Sequence, residues 1–169
     1  MRELKRVLLF GMGTALAGCG GGGGGGGNQM AATVPGTLVG EILLTGSTPA
    51  IQVTLVSESS SVDLVGELRS ELENLTGAEV AVWGKPTGLL REFQVLSYEI
   101  RSIAGERPLV GTLAERDGEL WLDGNESVRL VSAPARLRNQ LGAKVWVLGR
   151  RMEGGVHPQT YGVIRASRE

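Results

Sequence analysis

Apolar and polar residues alternate along most of the chain beyond residue 36, in short runs separated by Gly, Ser, Asn or Asp. A period of two is typical of β-strands, whose successive side chains point to opposite faces of a sheet. Apolar residues spaced three and four apart interrupt this alternation twice and predict short helices at 67–75 and 133–141. The predicted strands are 38–44, 51–56, 62–65, 79–83, 92–100, 109–114, 119–122, 128–131, 144–149 and 160–164. We therefore expect an all-β fold with short helices.

The body of the chain contains an internal duplication. The segment LTGAEVAVWGK at 75–85 matches QLGAKVWVLGR at 140–150, and TLVGE at 37–41 is similar to PLVGT at 108–112. The offset between matching positions is 71 residues at the earlier pair of segments and 65 at the later pair, so the first copy has six extra residues. We place these in the polar run SESSS at 57–61, which is typical of an enlarged loop.

Each copy has five predicted strands with a helix between the third and the fourth, which is the plan of an OB-like barrel. The fourth strand follows a glycine, carries alternating valines and ends near a second glycine. These residues are Gly77, Val80, Val82 and Gly84 in the first copy, and Gly142, Val145, Val147 and Gly149 in the second. The pattern resembles small OB-like domains of unknown function in bacterial envelope proteins. The resemblance implies two tandem five-stranded OB-like barrels, over 36–103 (the first repeat) and 104–169 (the second repeat). A single β-sandwich of roughly eight to ten strands is the alternative.

The three tryptophans are candidates for a binding surface. If the valines of the fourth strands point inward, Ala81, Trp83, Trp146 and Leu148 point outward from the same strands. Trp121 likewise points outward, because it lies between two leucines that we place in the core. The three tryptophans either fill the seam between the repeats or, together with Leu148, form an exposed patch for a partner, since exposed apolar patches often mark interaction sites.

The first 18 residues have the organisation of a secretory signal peptide. Arg2, Lys5 and Arg6 precede an apolar run at 7–17, and small residues then lead to a lone cysteine. The apolar run is much shorter than the roughly 20 residues that a membrane-spanning helix needs. Eight glycines follow the cysteine. We interpret 19–35 as a disordered, glycine-rich linker between the signal peptide and the folded body.

The tetrapeptide LAGC at 16–19 resembles the lipobox of bacterial lipoproteins. The resemblance implies cleavage between Gly18 and Cys19, a diacylglyceryl group on the Cys19 sulfur and acylation of the new amino terminus. In that family an aspartate after the cysteine commonly retains the protein at the inner membrane. Gly20 departs from this pattern, so we expect a lipid-anchored, extracytoplasmic protein, at the outer membrane facing the periplasm if the cell has two membranes.

Composition narrows the functional classes. Without residues 1–18 the chain has 14 Lys and Arg against 17 Asp and Glu, a net charge of −3. A mildly acidic body makes nucleic acid an unlikely partner, because nucleic-acid binding depends on clustered Lys and Arg. Acylation of Cys19 leaves no thiol for a disulfide, so the core alone must stabilise the fold.

We find no residues that suggest catalysis, a metal or a cofactor. The single histidine, His157, falls in a predicted loop at 154–158, where we expect a solvent-exposed turn residue. A hydrolytic triad or a zinc site needs more partners than this. Glu67, Glu71 and Glu73 lie close together, and we interpret them as a solvated helix face rather than an acid–base pair.

The sequence thus favours a non-enzymatic, lipid-anchored envelope protein that acts as a binding or assembly module. Its expected partners are the membrane, through acylated Cys19, and an envelope protein or a glycan, through Trp83, Trp121, Trp146 and Leu148. One alternative is a structural surface lipoprotein without a specific ligand. Another is OB-type binding of an oligosaccharide or single-stranded nucleic acid, with Trp121 or Trp146 as the stacking platform.

Overall fold

The computed structural model describes residues 35–167. The predicted signal peptide, the Cys19 lipidation site and the linker up to residue 34 lie outside the described residues. The described region belongs to one compact unit, Ala32–Glu169, and its ten strands and two short helices confirm the expected mostly β fold. Within residues 35–167 no helix has the length and apolar character needed to cross a bilayer.

The first repeat forms one five-stranded sheet. Its strand order is β1-β2-β3-β5-β4, with β3 and β5 parallel and the other neighbours antiparallel. The first half of β1 pairs with β4 and its second half with β2, so every strand has two neighbours. The elements are β1 (Gly36–Thr45), β2 (Gln52–Val56), β3 (Ser61–Val65), α1 (Arg69–Glu73), β4 (Ala78–Pro86) and β5 (Glu92–Ile103).

The second repeat forms a closed five-stranded barrel with the same order of elements. Here β8 and β10 are the parallel pair, and β6 pairs with both β7 and β9. The elements are β6 (Leu109–Arg116), β7 (Glu119–Gly124), β8 (Ser127–Leu130), α2 (Ala135–Arg138), β9 (Lys144–Met152) and β10 (Gly155–Arg165).

A glycine sits at the same place in the first strand of each sheet. A Cβ added at Gly40 would lie 2.4 Å from the carbonyl oxygen of Val56, and one added at Gly111 would lie 2.6 Å from that of Asp123. Only glycine allows this close approach of two backbones, which lets the strand leave one neighbour and join the other. The duplication seen in the sequence therefore extends to this detail of the backbone.

The buried apolar side chains form two clusters, one in each repeat, and the cluster of the first repeat also includes Ile164 of the second. The predicted inward positions Val80 and Val82 in β4, and Val145 and Val147 in β9, are all fully buried. The helices cover the cores with leucines, which are Leu72 and the following Leu75 in the first repeat and Leu137 in the second. Leu141, which the helical pattern placed toward the core, is instead exposed, because α2 ends at Arg138.

The predicted location of the extra residues in the first repeat is wrong for most of them. β1 and β2 are joined by the six residues 46–51, whereas β6 and β7 are joined by the two residues Asp117 and Gly118. Four of the six extra residues therefore lie in the β1–β2 loop. The serine run forms a tight turn, since Ser57 Oγ lies 2.9 Å from Ser60 Oγ and Ser57 N donates to Ser60 O at 2.9 Å.

The predicted loop at 154–158 is also wrong. β10 begins at Gly155, so His157 lies in a strand, half-buried, with Nδ1 3.2 Å from the carbonyl oxygen of Val131. The chain reverses direction tightly because Gly154 and Gly155 adopt positive φ angles of 83° and 154°, which glycine accepts without strain. His157 is therefore not an exposed turn residue.

Candidate binding surfaces

The three tryptophans occupy different surroundings. Trp83 is exposed on β4, paired with Thr37 of β1 and Ser97 of β5. Trp146 is half-buried on β9 and packs against the core of the first repeat. Trp121 is half-buried on β7, which is separated from β9 by β6.

Trp146 forms part of the contact between the repeats. Its indole lies over Gly162 of the neighbouring strand β10, where an added Cβ would be 2.5 Å from the indole Nε1. Ile164 of β10 is buried and belongs to the first repeat's core cluster, and Val110 packs at its edge. Leu148, one outward position along β9 from Trp146, is half-buried beside Thr160 of β10. The first repeat's core thus includes side chains from the second.

Trp121 lies on the outer surface of the barrel in the second repeat, in a group of residues that we call the tryptophan face: Arg116, Glu119, Trp121, Asp123 and Arg129. The alternation along β7 places Glu119, Trp121 and Asp123 outward, because Leu120 and Leu122 between them are buried. Arg116 comes from β6, and Arg129 pairs directly with Trp121 across β7 and β8. Three neighbouring strands therefore build this surface.

Ion pairs hold the arginines of the tryptophan face in position. Arg116 donates to Asp123 Oδ2 at 2.7 Å while its guanidinium carbon lies 5.4 Å from the centre of the Trp121 ring. Arg129 donates to Glu119 Oε1 at 2.6 Å and to the carbonyl oxygen of Gly154 at 2.6 Å. Two arginines and two carboxylates make the face neutral overall. Its chemistry is an aromatic ring with fixed hydrogen-bonding groups on each side.

A buried carboxylate joins the two repeats. Glu71 of α1 accepts hydrogen bonds from the Tyr98 hydroxyl at 2.6 Å and, from the second repeat, Lys144 Nζ at 2.8 Å and Arg165 Nη1 at 2.9 Å. The Glu71 side chain is only 5% exposed. Lys144 Nζ also lies 3.0 Å from the Tyr98 hydroxyl and 4.7 Å from the centre of its ring. We call Glu71, Tyr98, Lys144 and Arg165 the inter-repeat cluster.

The inter-repeat cluster shifts the pKa of both of its acidic groups. Burial alone raises the pKa of Glu71, but hydrogen bonds from Lys144 and Tyr98 and the charges of Lys144 and Arg165 outweigh it, so this pKa is lowered. The pKa of Tyr98 is raised, mainly by burial and then by its hydrogen bond to the ionised Glu71. Glu71 is therefore a carboxylate, and Tyr98 a neutral donor, at neutral pH.

An open cleft of about 920 Å³ runs beside this cluster. Residues of both repeats line it, among them Tyr98, Arg107, Val110, Lys144 and Arg165. Lys144 and Arg165 are paired with Glu71, and Arg107 donates to Glu99 at 3.2 Å. Because Arg107, Lys144 and Arg165 already have carboxylate partners, these three cations are not free to bind an anion in the cleft. Within the described residues no three acidic or imidazole groups are placed to hold a metal ion.

The interpretation of Glu71 as part of a solvated helix face is wrong. α1 starts at Arg69, so Glu67 lies outside the helix. A signal for the burial of Glu71 was present, since it follows Leu68 by three residues and precedes Leu75 by four. These spacings place it on the same helix face as the leucines. A carboxylate among core leucines requires partners, which the local sequence does not supply.

The chain matches no protein-family model, and comparisons with curated proteins and with solved structures likewise found no match.

Proposed function

We propose that this chain is a lipid-anchored protein of a bacterial cell envelope, in which two OB-like barrels form a non-enzymatic binding or assembly module. Acylated Cys19 holds the chain on the membrane, at the periplasmic face of the outer membrane where two membranes are present. The tryptophan face contacts an envelope protein. Tethering raises the effective concentration of the module for a neighbouring partner in the same membrane.

The observation that carries this proposal is the arrangement around Trp121. Tryptophan and arginine are enriched among the residues that dominate protein–protein binding energies. Arg116 and Arg129 already pair with carboxylates before any partner arrives, so part of the side-chain freedom that binding would cost is already lost. Trp121 itself is not part of the buried core cluster of the second repeat.

Affinity capture from an envelope extract tests the proposed partner surface. The chain from Gly20 to Glu169 contains all ten strands and both cores, so it is the appropriate bait. We expect it to retain a stoichiometric envelope protein, and the substitution Trp121→Ala to weaken that binding by at least about thirtyfold, as for a central interface residue. The control is Leu96→Ala, an exposed apolar side chain on β5. Equal loss for both substitutions would refute the assignment of the tryptophan face.

An oligosaccharide is the second candidate ligand. Glu119 and Asp123 flank the Trp121 ring with hydrogen-bond acceptors, an arrangement suited to sugar hydroxyls. A sugar ring stacked on Trp121 would have to displace the guanidinium of Arg116. Retention of envelope glycan instead of protein on the same bait would favour this ligand, and retention of neither would favour a structural lipoprotein without a specific ligand.

Mass spectrometry of membrane extracts tests the anchor. We expect the mature chain to start at a diacylglyceryl-modified Cys19 with an acylated amino terminus. An unmodified thiol at this position, or an intact leader peptide, would refute the proposed anchoring.

A further inference from the structure

The β4–β5 loop of the first repeat, residues 87–91, presents two leucines to solvent. Leu89 and Leu90 are 67% and 93% exposed, the highest values for large apolar side chains among residues 35–167. Neither belongs to a core cluster. Neither side chain gains the stabilisation that burial gives, and two adjacent exposed leucines form an apolar patch of the kind that marks interaction sites.

The loop is held by its backbone rather than by these leucines. Thr87 N donates to Glu92 O at 3.2 Å, and the carbonyl oxygen of Arg91 accepts from Asp63 N of β3 at 2.7 Å. Gly88 and Arg91 adopt positive φ angles of 93° and 61°, which turn the chain tightly at both sides of the leucines. The tip is therefore a defined protrusion with an apolar end.

Basic residues flank the apolar tip. Lys85 precedes the loop and Arg91 ends it, and both are exposed. The nearest acidic residue along the chain, Glu92, is half-buried at the start of β5. Apolar side chains between exposed cations are suited to a membrane surface, where leucines enter the acyl boundary and cations lie among anionic headgroups.

The position of the loop relative to the start of the fold is consistent with a membrane surface. Gly36, the first residue of β1, pairs with Gly84, and β4 ends two residues later at Pro86. Leu89 and Leu90, which we call the leucine tip, thus project from the same end of the first repeat at which the chain begins its first strand. Cys19 lies 17 residues before Gly36, and a flexible glycine-rich coil of that length has ends on the order of 20–25 Å apart. An anchor at Cys19 therefore keeps this end of the repeat within reach of the bilayer.

The second repeat provides an internal comparison. The equivalent β9–β10 connection consists of Glu153 and Gly154 alone, and the exposed apolar side chain beside it is the single Met152 at the end of β9, after the exposed Arg150 and Arg151. The shared fold therefore does not require the longer loop or its leucines. They occur in the repeat that directly follows the linker.

From these observations we propose that Leu89 and Leu90 insert into the anionic membrane surface as a second membrane contact, with Lys85 and Arg91 at the headgroups. This inference rests on the proposed tethering of the chain to a membrane from its amino-terminal side. The lipid anchor determines where the protein is, and the loop determines which end of the first repeat faces the bilayer.

A fluorescence experiment on the chain from Gly20 to Glu169 tests the loop independently of lipidation. A histidine tag before Gly20 attaches the chain to vesicles of phosphatidylglycerol and phosphatidylethanolamine that contain a nickel-chelating lipid. This chain has no cysteine, so Thr87→Cys introduces the only thiol, and it carries an environment-sensitive fluorophore beside the intact leucines. The matched control carries the same fluorophore at Glu153→Cys, in the equivalent connection of the second repeat.

We expect vesicles to shift the emission of the Thr87→Cys probe to shorter wavelength and spin-labelled lipids to quench it, with no such change at Glu153→Cys. Adding Leu89→Ser and Leu90→Ser should abolish the response, and in the untagged chain each substitution should weaken vesicle sedimentation by about tenfold. Equal responses at the two probes, or no response at Thr87→Cys, would overturn the proposal. A response that depends on protein concentration without vesicles would show self-association instead and would also overturn it.

The two proposals fail in different ways in these experiments. An unmodified Cys19 in membrane extracts refutes the natural anchor but leaves the probe response of the tagged chain intact. An acylated Cys19 with no insertion at Thr87→Cys leaves the anchor intact and refutes the loop.

Discussion

Replacing Glu71 with glutamine should lower the free energy of unfolding by about 2 kcal/mol. Glutamine has nearly the same shape and can still accept the Tyr98 hydroxyl through its amide oxygen. It loses the negative charge that pairs with Lys144 and Arg165. The substitution therefore isolates the ionic part of the inter-repeat cluster from its packing.

The expected magnitude follows from the exposure of the two cations. Lys144 is 28% exposed and Arg165 is 53% exposed, whereas Glu71 is 5% exposed. A charge-assisted hydrogen bond contributes roughly 1.5–3 kcal/mol when shielded from water, but a half-exposed partner such as Arg165 contributes about 1 kcal/mol at most. The cost of burying the Glu71 charge offsets part of this gain. We therefore expect Glu71→Gln to lower the free energy of unfolding by about 2 kcal/mol, mostly through the lost ion pair with Lys144.

The same cluster predicts a dependence of stability on pH. The pKa of Glu71 is lowered in the folded protein from its ordinary value of 4.5, so the unfolded chain takes up the proton first as the pH falls. The stabilisation by Glu71 is therefore complete above about pH 4.5 and is lost as the pH falls through the folded-state pKa. Glu71→Gln should remove this contribution to the acid-side loss of stability.

Urea unfolding of the chain from Gly20 to Glu169, followed by circular dichroism, measures both effects. The matched control is Glu67→Gln, an exposed glutamate just outside the same helix, whose effect should stay within about 0.5 kcal/mol. A double-mutant cycle with Lys144→Met should give a coupling energy of about 1–2 kcal/mol. Equal stabilities for the two glutamine variants, or a coupling energy near zero, would refute the reasoning.

Two further substitutions test the packing. Gly162→Ala should lower the free energy of unfolding by roughly 1–3 kcal/mol, because the added Cβ would meet the Trp146 indole at 2.5 Å. Gly36→Ala, whose added Cβ has no atom within 4 Å, should have little effect, and thermal denaturation compares the two variants. Leu137→Ala should lower the free energy of unfolding by about 2–5 kcal/mol, because it leaves a cavity in the core of the second repeat. Leu141→Ala, at an exposed position, should lower it by less than about 1 kcal/mol, and urea unfolding measures both. Similar losses within either pair would contradict the assigned burial.

Most of the strands could be predicted from the sequence because one face of each is buried, so the period of two is explicit. β7 is of this kind, because Leu120 and Leu122 are buried between Glu119, Trp121 and Asp123. β4 is not, since Ala81 is fully buried between its inward valines. The start of β10 could not be predicted, since Gly154, Gly155 and Pro158 are all typical of loops. In the structure the two glycines form the chain reversal before β10. Pro158 lies next to a shift in register between Pro158 and Thr160, where a missing N–H disrupts the hydrogen bonds between strands least.

The contacts that join the repeats were much harder to predict. Local periodicity shows that Glu71 shares a helix face with leucines, but its partners Lys144 and Arg165 lie 73 and 94 residues further along the chain. Trp146 posed a different problem, because alternation shows only that it points away from its own core. It does not show that the core of the first repeat lies there. Long-range pairing depends on how the two sheets pack, which no local pattern encodes.

The contact between the repeats also links the two proposed surfaces. A glycine-rich tether sets how far a module can move from its anchor but not which way the module faces. The leucine tip lies on the first repeat and Trp121 on the second, so a membrane contact by the first repeat can orient Trp121 only if the repeats keep a fixed relation. The buried Glu71 cluster and the insertion of Ile164 into the first repeat's core supply that rigidity. A polar, water-filled seam between the repeats would remove this rigidity, and the presentation of the tryptophan face to a partner would then no longer depend on the membrane contact.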